Sequence, residues 1–164
     1  MRLLTTETKA GPAPSTLGAV VLGLFRILIG ASFALHGYSE LFGKPVHPYG
    51  AQLPAFGSWP HWWAGIIELV AGTAVALGLG TRIAALLCSG SMAYAFLTVH
   101  LKHGILPVVN GGEPAAMFCW SFFLIAALGA GAFSADALIT HFTRTRRRPT
   151  AVPPLGVSPE HRVS

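Results

Sequence analysis

Charged side chains are scarce in this sequence. Asp, Glu, Lys and Arg together make up only 10% of its 164 residues, whereas 52% are hydrophobic. A soluble domain carries about 25% charged residues, so this chain lacks the polar side chains that would cover a water-soluble core. We therefore predict a membrane protein.

Cysteine is also scarce, and the sequence contains no Cys-x-x-Cys or His-x-x-x-His motif. Its two cysteines, Cys88 and Cys119, fall at predicted membrane depths that differ by roughly 12 Å, which is too far for a disulfide. No motif for haem, flavin or nucleotide is present. We therefore expect no covalently bound cofactor.

What the sequence does contain is four hydrophobic runs of spanning length, at residues 17–36, 61–80, 83–101 and 114–133. Each is close to the ~20 residues with which a helix crosses ~30 Å of hydrocarbon. Proline and glycine punctuate the segments between them, and a helix satisfies its own backbone in lipid. The fold prediction is an all-α membrane protein, a bundle of four transmembrane helices.

Lysine and arginine are distributed unequally about these runs. One side carries only Lys44 and Lys102, and the other carries most of the remainder, including the cluster at residues 144–148. Because such residues resist translocation, we predict that both termini are cytoplasmic. Topology then accounts for the net charge of +5, and nucleic acid is not an expected partner.

The predicted organisation has three parts. Residues 1–16 form a disordered N-terminal tail, because they are small, polar and proline-containing. Residues 17–137 form the transmembrane domain. Residues 138–164 form a basic, proline-rich cytoplasmic C-terminal tail. We expect a multi-pass membrane protein.

Two ionisable residues interrupt the apolar runs, Arg26 in the first and Glu68 in the second. A charge at membrane depth costs several kcal/mol, so such residues face a bundle interior or line a functional site. At 1.5 Å per residue, they lie ~13 Å and ~18 Å from the cytoplasmic edge. The sequence therefore predicts a buried Arg26–Glu68 pair, which serves either as a structural lock or as part of a site.

A second polar cluster lies at the extracytoplasmic ends of the predicted spans. His36 and Glu40 share a helix face, His100 follows the third run, and Glu113 opens the fourth. Imidazole beside carboxylate suits proton exchange near neutral pH or metal binding. Because an i, i+4 spacing is common by chance, we assign no metal. His61 we interpret as an interfacial ring beside the tryptophans.

The residues resemble those of the DoxX family of small four-helix bacterial membrane proteins. The resemblance covers approximately residues 25–137. The segments that resemble the family are Phe25–Gly30, His36–Gly43, Gly65–Gly72, Leu77–Ala85 and Asn110–Glu113. The first includes Arg26 and the third includes Glu68. In the second, Glu40 stands where the family usually has lysine.

The resemblance implies redox work at the membrane, because family members are linked to thiosulfate:quinone oxidoreductase and to complexes that counter oxidative stress. We expect a redox-associated subunit that positions a quinone or a small sulfur compound and handles protons. The expected catalytic residues are Glu68, His100 and His36, and the expected substrate-binding residues are Arg26, Glu40, Asn110 and Glu113.

The alternative hypothesis is a non-catalytic scaffold or a carrier of lipid or small molecules. In this hypothesis the Arg26–Glu68 pair locks the bundle, and ridges of small residues on the first two helices bind partner helices. Membrane lipid is an expected partner under both hypotheses. A redox protein and a second copy of the chain are the candidate protein partners.

Overall fold

The computed structural model describes residues 15–46 and 52–146, with side chains to residue 140. All regular structure within these ranges is helical. The helices are α1 (Thr16–Phe42), α2 (His61–Leu77), α3 (Thr81–Ala95), α4 (Pro107–Asn110), α5 (Glu113–Leu128) and α6 (Ala135–Arg146). A π-helical turn, Phe96–His100, and a 3-10 turn, Leu101–His103, extend α3 without a break.

The all-helical prediction is confirmed for the described residues, with differences at the helix ends. Two helices, Thr16–Phe42 and Thr81–His103, are long and apolar enough to cross a membrane, while His61–Leu77 and Glu113–Leu128 are apolar but shorter. The first helix continues to Phe42, so His36 and Glu40 lie within it. The four-span topology and its orientation stay predictions.

The predicted tails lie largely outside the described residues. Ser15, the only described residue before α1, caps that helix by accepting a hydrogen bond from the backbone N–H of Gly18. At the other end of the chain, α6 covers Ala135–Arg146, so the domain boundary predicted at residue 137 falls inside a helix.

The four longer helices, α1, α2, α3 and α5, pack chiefly against their neighbours in the chain. Successive helices run in opposite directions, which gives the bundle two ends. We call the end at which α1 begins and α5 ends the terminal end, and the opposite one, at which α1 ends and α2 begins, the loop end. The core between them contains Phe33, Val75, Ala85, Cys88, Phe122 and Ile125.

Polarity is arranged inside out in this bundle. Arg26, Glu40 and Glu68 are buried. Large apolar side chains cover the outside, among them Leu28, Val70, Ile83, Leu87 and Trp120. A surface of this kind is stable against hydrocarbon rather than water, so the packing agrees with the composition.

Helices α1 and α2 approach so closely that only glycine fits along parts of their contact. A Cβ atom on Gly30 would lie 2.6 Å from the backbone N of Ala76, and one on Gly37 would lie 2.6 Å from the carbonyl O of Gly65. The small residues predicted to line one face of each helix thus pack on each other. These small residues therefore form the contact between α1 and α2 and are covered by it.

The predicted Arg26–Glu68 pair is wrong. Glu68 packs beside Gly37, about three turns along α1 from Arg26. Because side chains lean toward the N-terminus of their helix and α1 and α2 are antiparallel, the two charged groups also lean away from each other. The Arg26 guanidinium instead donates to the carbonyl oxygens of Val75 at 2.5 Å and Ala76 at 2.6 Å. These carbonyls belong to the last turn of α2, where the regular helical N–H donors run out, and the carbonyl of Val75 also accepts a hydrogen bond from the Gly78 N–H at 3.0 Å.

The same guanidinium also fixes the segment after α5. It donates to the carbonyl oxygens of Ala130 at 2.8 Å, Phe133 at 3.0 Å and Ala132 at 3.4 Å. Helix α5 ends at Leu128, followed by Gly129 with a φ of 95°, rather than at the predicted residue 133. The chain leaves the helix here because its carbonyl groups turn toward Arg26.

Asp136 joins this segment to the start of α3. Its carboxylate accepts hydrogen bonds from the backbone N–H groups of Gly80 at 3.0 Å and Thr81 at 3.2 Å. The Gly80 N–H contributes most to holding the pKa of this carboxyl below its usual range. Asp136 therefore caps α3 from a distant part of the chain, in the manner of an N-cap residue.

We predict that Arg26→Lys will lower the folded yield and the thermal stability strongly, by about 3 kcal/mol or more, because an ammonium group cannot reach five carbonyl oxygens and leaves some of them buried without a donor. Arg82→Lys is the matched control, since Arg82 is exposed and donates one hydrogen bond, to Ala126. Fluorescence-detected size exclusion and thermal unfolding measure both variants. Equal stability of the two would contradict this role of Arg26.

A second prediction concerns the glycine contact between α1 and α2. Gly30→Ala should destabilise the bundle by about 1–3 kcal/mol, because the added methyl group meets the backbone of α2 at Gly72 and Ala76. Gly90→Ala serves as the control, because Gly90 lies in α3 with no atom within 4 Å of an added Cβ. Chemical unfolding in detergent compares them, and a Gly30→Ala protein as stable as Gly90→Ala counts against the close packing.

Candidate functional site

A cavity of about 280 Å³ opens at the loop end of the bundle, between α1, α2, α3 and α5. Its apolar walls include Phe33, Met92, Ala115 and Phe118. Phe33 packs on Phe118 with ring centroids 5.2 Å apart. The walls are thus apolar and partly aromatic, as in a small-molecule site.

One wall of this cavity carries an acidic cluster, which consists of His36, Glu40 and Glu68. His36 Nδ1 lies 3.0 Å from Glu68 Oε2 and 3.8 Å from Glu40 Oε1. The two carboxyl side chains are 3% and 2% exposed, whereas the imidazole is 47% exposed. The histidine therefore forms the accessible side of a cluster whose carboxylates are buried.

The sequence builds this cluster from two helices. His36 and Glu40 are one turn apart on α1, and Glu68 faces them from α2. Gly37 and Gly65 let the two backbones meet at this level, and a Cβ on Gly37 would lie 2.7 Å from the Cβ of Glu68. Without this close approach, the Glu68 carboxylate would not reach the imidazole.

His100 lines the same cavity from the π-helical turn that ends the long third helix. Its Nδ1 lies 3.2 Å from the carbonyl oxygen of Asn110. Because a carbonyl oxygen only accepts, this hydrogen bond requires a proton on Nδ1. Its ring stacks on Phe96 with centroids 6.3 Å apart. Single π turns are frequent at functional sites, and this one carries a histidine predicted to be catalytic.

All three residues predicted to be catalytic, Glu68, His100 and His36, therefore line one cavity, together with Glu40.

The other predicted substrate-binding residues do not line this cavity. Arg26 lies at the terminal end. Asn110 accepts a hydrogen bond from the Gly112 N–H at 2.7 Å and donates to the Gly104 carbonyl at 2.6 Å, so it shapes the loop before α5. Glu113 is exposed at the first turn of α5.

Some lining residues were not predicted from the sequence. His61, interpreted there as interfacial, lines the cavity, and so do Phe33, Met92 and Phe118. A signal for Phe33 exists, since it precedes His36 by three positions and shares its helix face. Tyr94 also lines the cavity, whereas Trp120 lines a separate apolar groove beside Phe96 and Cys119.

The arrangement can hold an apolar ring and offer it hydrogen bonds. No lysine or arginine is among the described residues that line the cavity, so a free anion would find only histidine there. Within the described ranges, the ion pairs of Glu68 are limited to His36. The cavity therefore suits a neutral, mostly apolar compound that carries oxygen atoms.

We predict that His36 and Glu68 are energetically coupled. In a double-mutant cycle of His36→Gln and Glu68→Gln, the combined loss of unfolding free energy should be smaller than the sum of the single losses by about 1.5–3 kcal/mol, the range for a hydrogen bond to a charged group. Chemical unfolding of the four proteins measures this coupling. Strictly additive losses would contradict the contact.

Comparisons with known proteins agree with this picture. The DoxX family model matches residues 21–101, a range that includes Arg26, the acidic cluster and His100. An uncharacterized protein of Haemophilus influenzae is 35% identical over 118 residues, which make up 70% of this chain and 87% of that relative. No solved structure matches the chain. The chain is a membrane protein that belongs to the DoxX family.

Proposed function

We propose that this protein is a redox-associated membrane subunit that binds the ring of a quinone in the loop-end cavity and handles its protons. The observation that carries the proposal is the His36–Glu68 contact of 3.0 Å at the wall of an aromatic cavity. A quinone site needs an apolar slot and one or two groups that exchange protons with the ring oxygens. Here Glu68, His36 and His100 are those groups.

The size of the cavity supports a ring rather than a whole lipid-soluble quinone. At about 280 Å³ it is at the small end of ligand sites, so an isoprenoid tail would remain in the lipid. A small sulfur anion such as thiosulfate receives less support. The cationic residue predicted to bind substrate, Arg26, donates all its described hydrogen bonds at the other end of the bundle.

In this proposal the chain spans the bacterial inner membrane four times with both termini in the cytoplasm. The loop-end cavity then lies toward the outer leaflet, within reach of a quinone that diffuses in the bilayer. Electrons would come from a partner protein, since the sequence has no motif for a redox cofactor.

The scaffold hypothesis has less support. Its lock, the Arg26–Glu68 pair, does not form, and the small residues it offers to partner helices are covered by the contact between α1 and α2. A carrier of small molecules is compatible with the cavity, but carriage alone does not explain why two carboxylates are buried at its wall. The geometry therefore favours proton-coupled redox chemistry.

The test is saturable binding of a short-chain quinone to the purified protein in nanodiscs, followed by quenching of tryptophan fluorescence. We predict that Glu68→Gln weakens the affinity roughly 10- to 100-fold, because it removes a hydrogen-bonding charge worth about 1.5–3 kcal/mol. Glu113→Gln is the matched control, since this exposed carboxylate lies outside the cavity.

Thermal unfolding separates a loss of binding from a loss of fold. If the wild-type protein shows no saturable quinone binding, or if both variants bind as the wild type does, the quinone proposal is wrong. In the assembled complex, Glu68→Gln should abolish redox turnover while the abundance of the complex stays unchanged.

A further inference from the structure

We infer that His36, Glu40 and Glu68 form a binding site for one divalent first-row transition metal ion. Each residue offers a ligand atom, an imidazole nitrogen or a carboxylate oxygen, and these three atoms all lie within 4.8 Å of one another. The i, i+4 pair on α1 is weak evidence by itself. The structure adds a third ligand from a different helix.

The distances within the acidic cluster fit a metal ion. Zinc binds histidine nitrogen and carboxylate oxygen at about 2.0–2.2 Å, which places tetrahedral ligand atoms about 3.4 Å from one another. The two distances from His36 Nδ1, 3.0 Å to Glu68 and 3.8 Å to Glu40, lie on either side of this value. Small rotations of the side chains are therefore enough to enclose an ion.

Electrostatics favours a cation at this position. Two carboxylates lie buried beside one imidazole, and like charges in a water-poor interior repel each other strongly. A divalent ion neutralises both carboxylates, and its bonds to their oxygen atoms offset the free-energy cost of burying them. The half-exposed imidazole completes three protein ligands and provides a route for the ion.

The donor set determines the class of metal. One nitrogen and two carboxylate oxygens suit Zn²⁺, Fe²⁺ or Mn²⁺, whereas Cu⁺ prefers sulfur ligands. Three protein ligands leave a coordination position open, as in catalytic rather than structural zinc sites. The open side faces the cavity, where an oxygen atom of a bound compound can complete the coordination. The inference rests on the cluster and does not depend on the quinone.

The first experiment measures binding of Zn²⁺ alone to untagged protein that has been stripped with EDTA. Competition with a chromophoric chelator and metal analysis after dialysis should show one ion per chain. Glu40→Gln and Glu68→Gln should each weaken the affinity at least 10-fold, because each removes an anionic ligand. Glu113→Gln and His103→Gln should bind as the wild type does, since both residues lie outside the cluster.

Absence of stoichiometric Zn²⁺ binding, or unchanged affinity in both cluster variants, would overturn the inference. If the variants fail to fold, X-ray absorption of the zinc-loaded wild type decides the question. Nitrogen and oxygen ligands at about 2.0–2.2 Å support the site, whereas sulfur at about 2.3 Å places the ion on the cysteines and overturns it.

Quinone binding is measured on the stripped and the loaded protein alike. A protein that binds Zn²⁺ at the cluster and no quinone in either state retains the metal site and loses the proposed function. A protein that binds quinone and no metal retains the proposed function and loses the metal site.

Discussion

The structure depends on how a buried guanidinium is satisfied. Arg26 lies in the interior of an apolar bundle, where an ionised group without partners costs several kcal/mol. Five carbonyl oxygens surround it, from Val75 and Ala76 at the end of α2 and from three residues after α5. These carbonyls lie in the last turn of α2 or in the segment after α5, beyond the regular hydrogen bonds of either helix. One side chain thus ties the ends of α2 and α5 to α1.

This arrangement separates the two charged regions of the chain. Since the guanidinium is neutralised at the terminal end by carbonyl dipoles, the carboxylates at the loop end have no arginine as a partner among the described residues. His36 lies against both of them. The resulting acidic cluster is held by the glycine contact between α1 and α2, so the chemistry of the cavity depends on a backbone distance as much as on the residues that line it.

The comparisons and the geometry carry different parts of the functional conclusion. Family membership establishes a membrane protein, while the relative from Haemophilus influenzae, described as uncharacterized, supplies no activity. The quinone proposal therefore rests on the cavity, its aromatic walls and its proton-active groups. The metal inference rests on three ligand atoms that converge within it. Both assign Glu68 a central task, and they differ in the atom it would contact.

The sequence by itself determined the class of fold and several residues that line the cavity. The low charge and the four apolar runs predicted a helical membrane protein, and helical phase identified the small-residue faces of α1 and α2. The sequence also singled out Glu68 as a charge within an apolar run, and His36, Glu40 and His100 as polar residues at the ends of such runs. Such signals are local, so they can be read from spacing alone.

Only the tertiary structure decided which of these residues meet. Arg26 and Glu68 are at similar predicted depths, yet the packing of α1 on α2 places Glu68 beside Gly37, about three turns along α1 from Arg26. The end of α5 was set by carbonyl groups that turn toward Arg26, more than a hundred residues earlier in the chain. The joining of Glu68 to the His36–Glu40 pair likewise required the close approach of two helices, a distance that no single segment encodes.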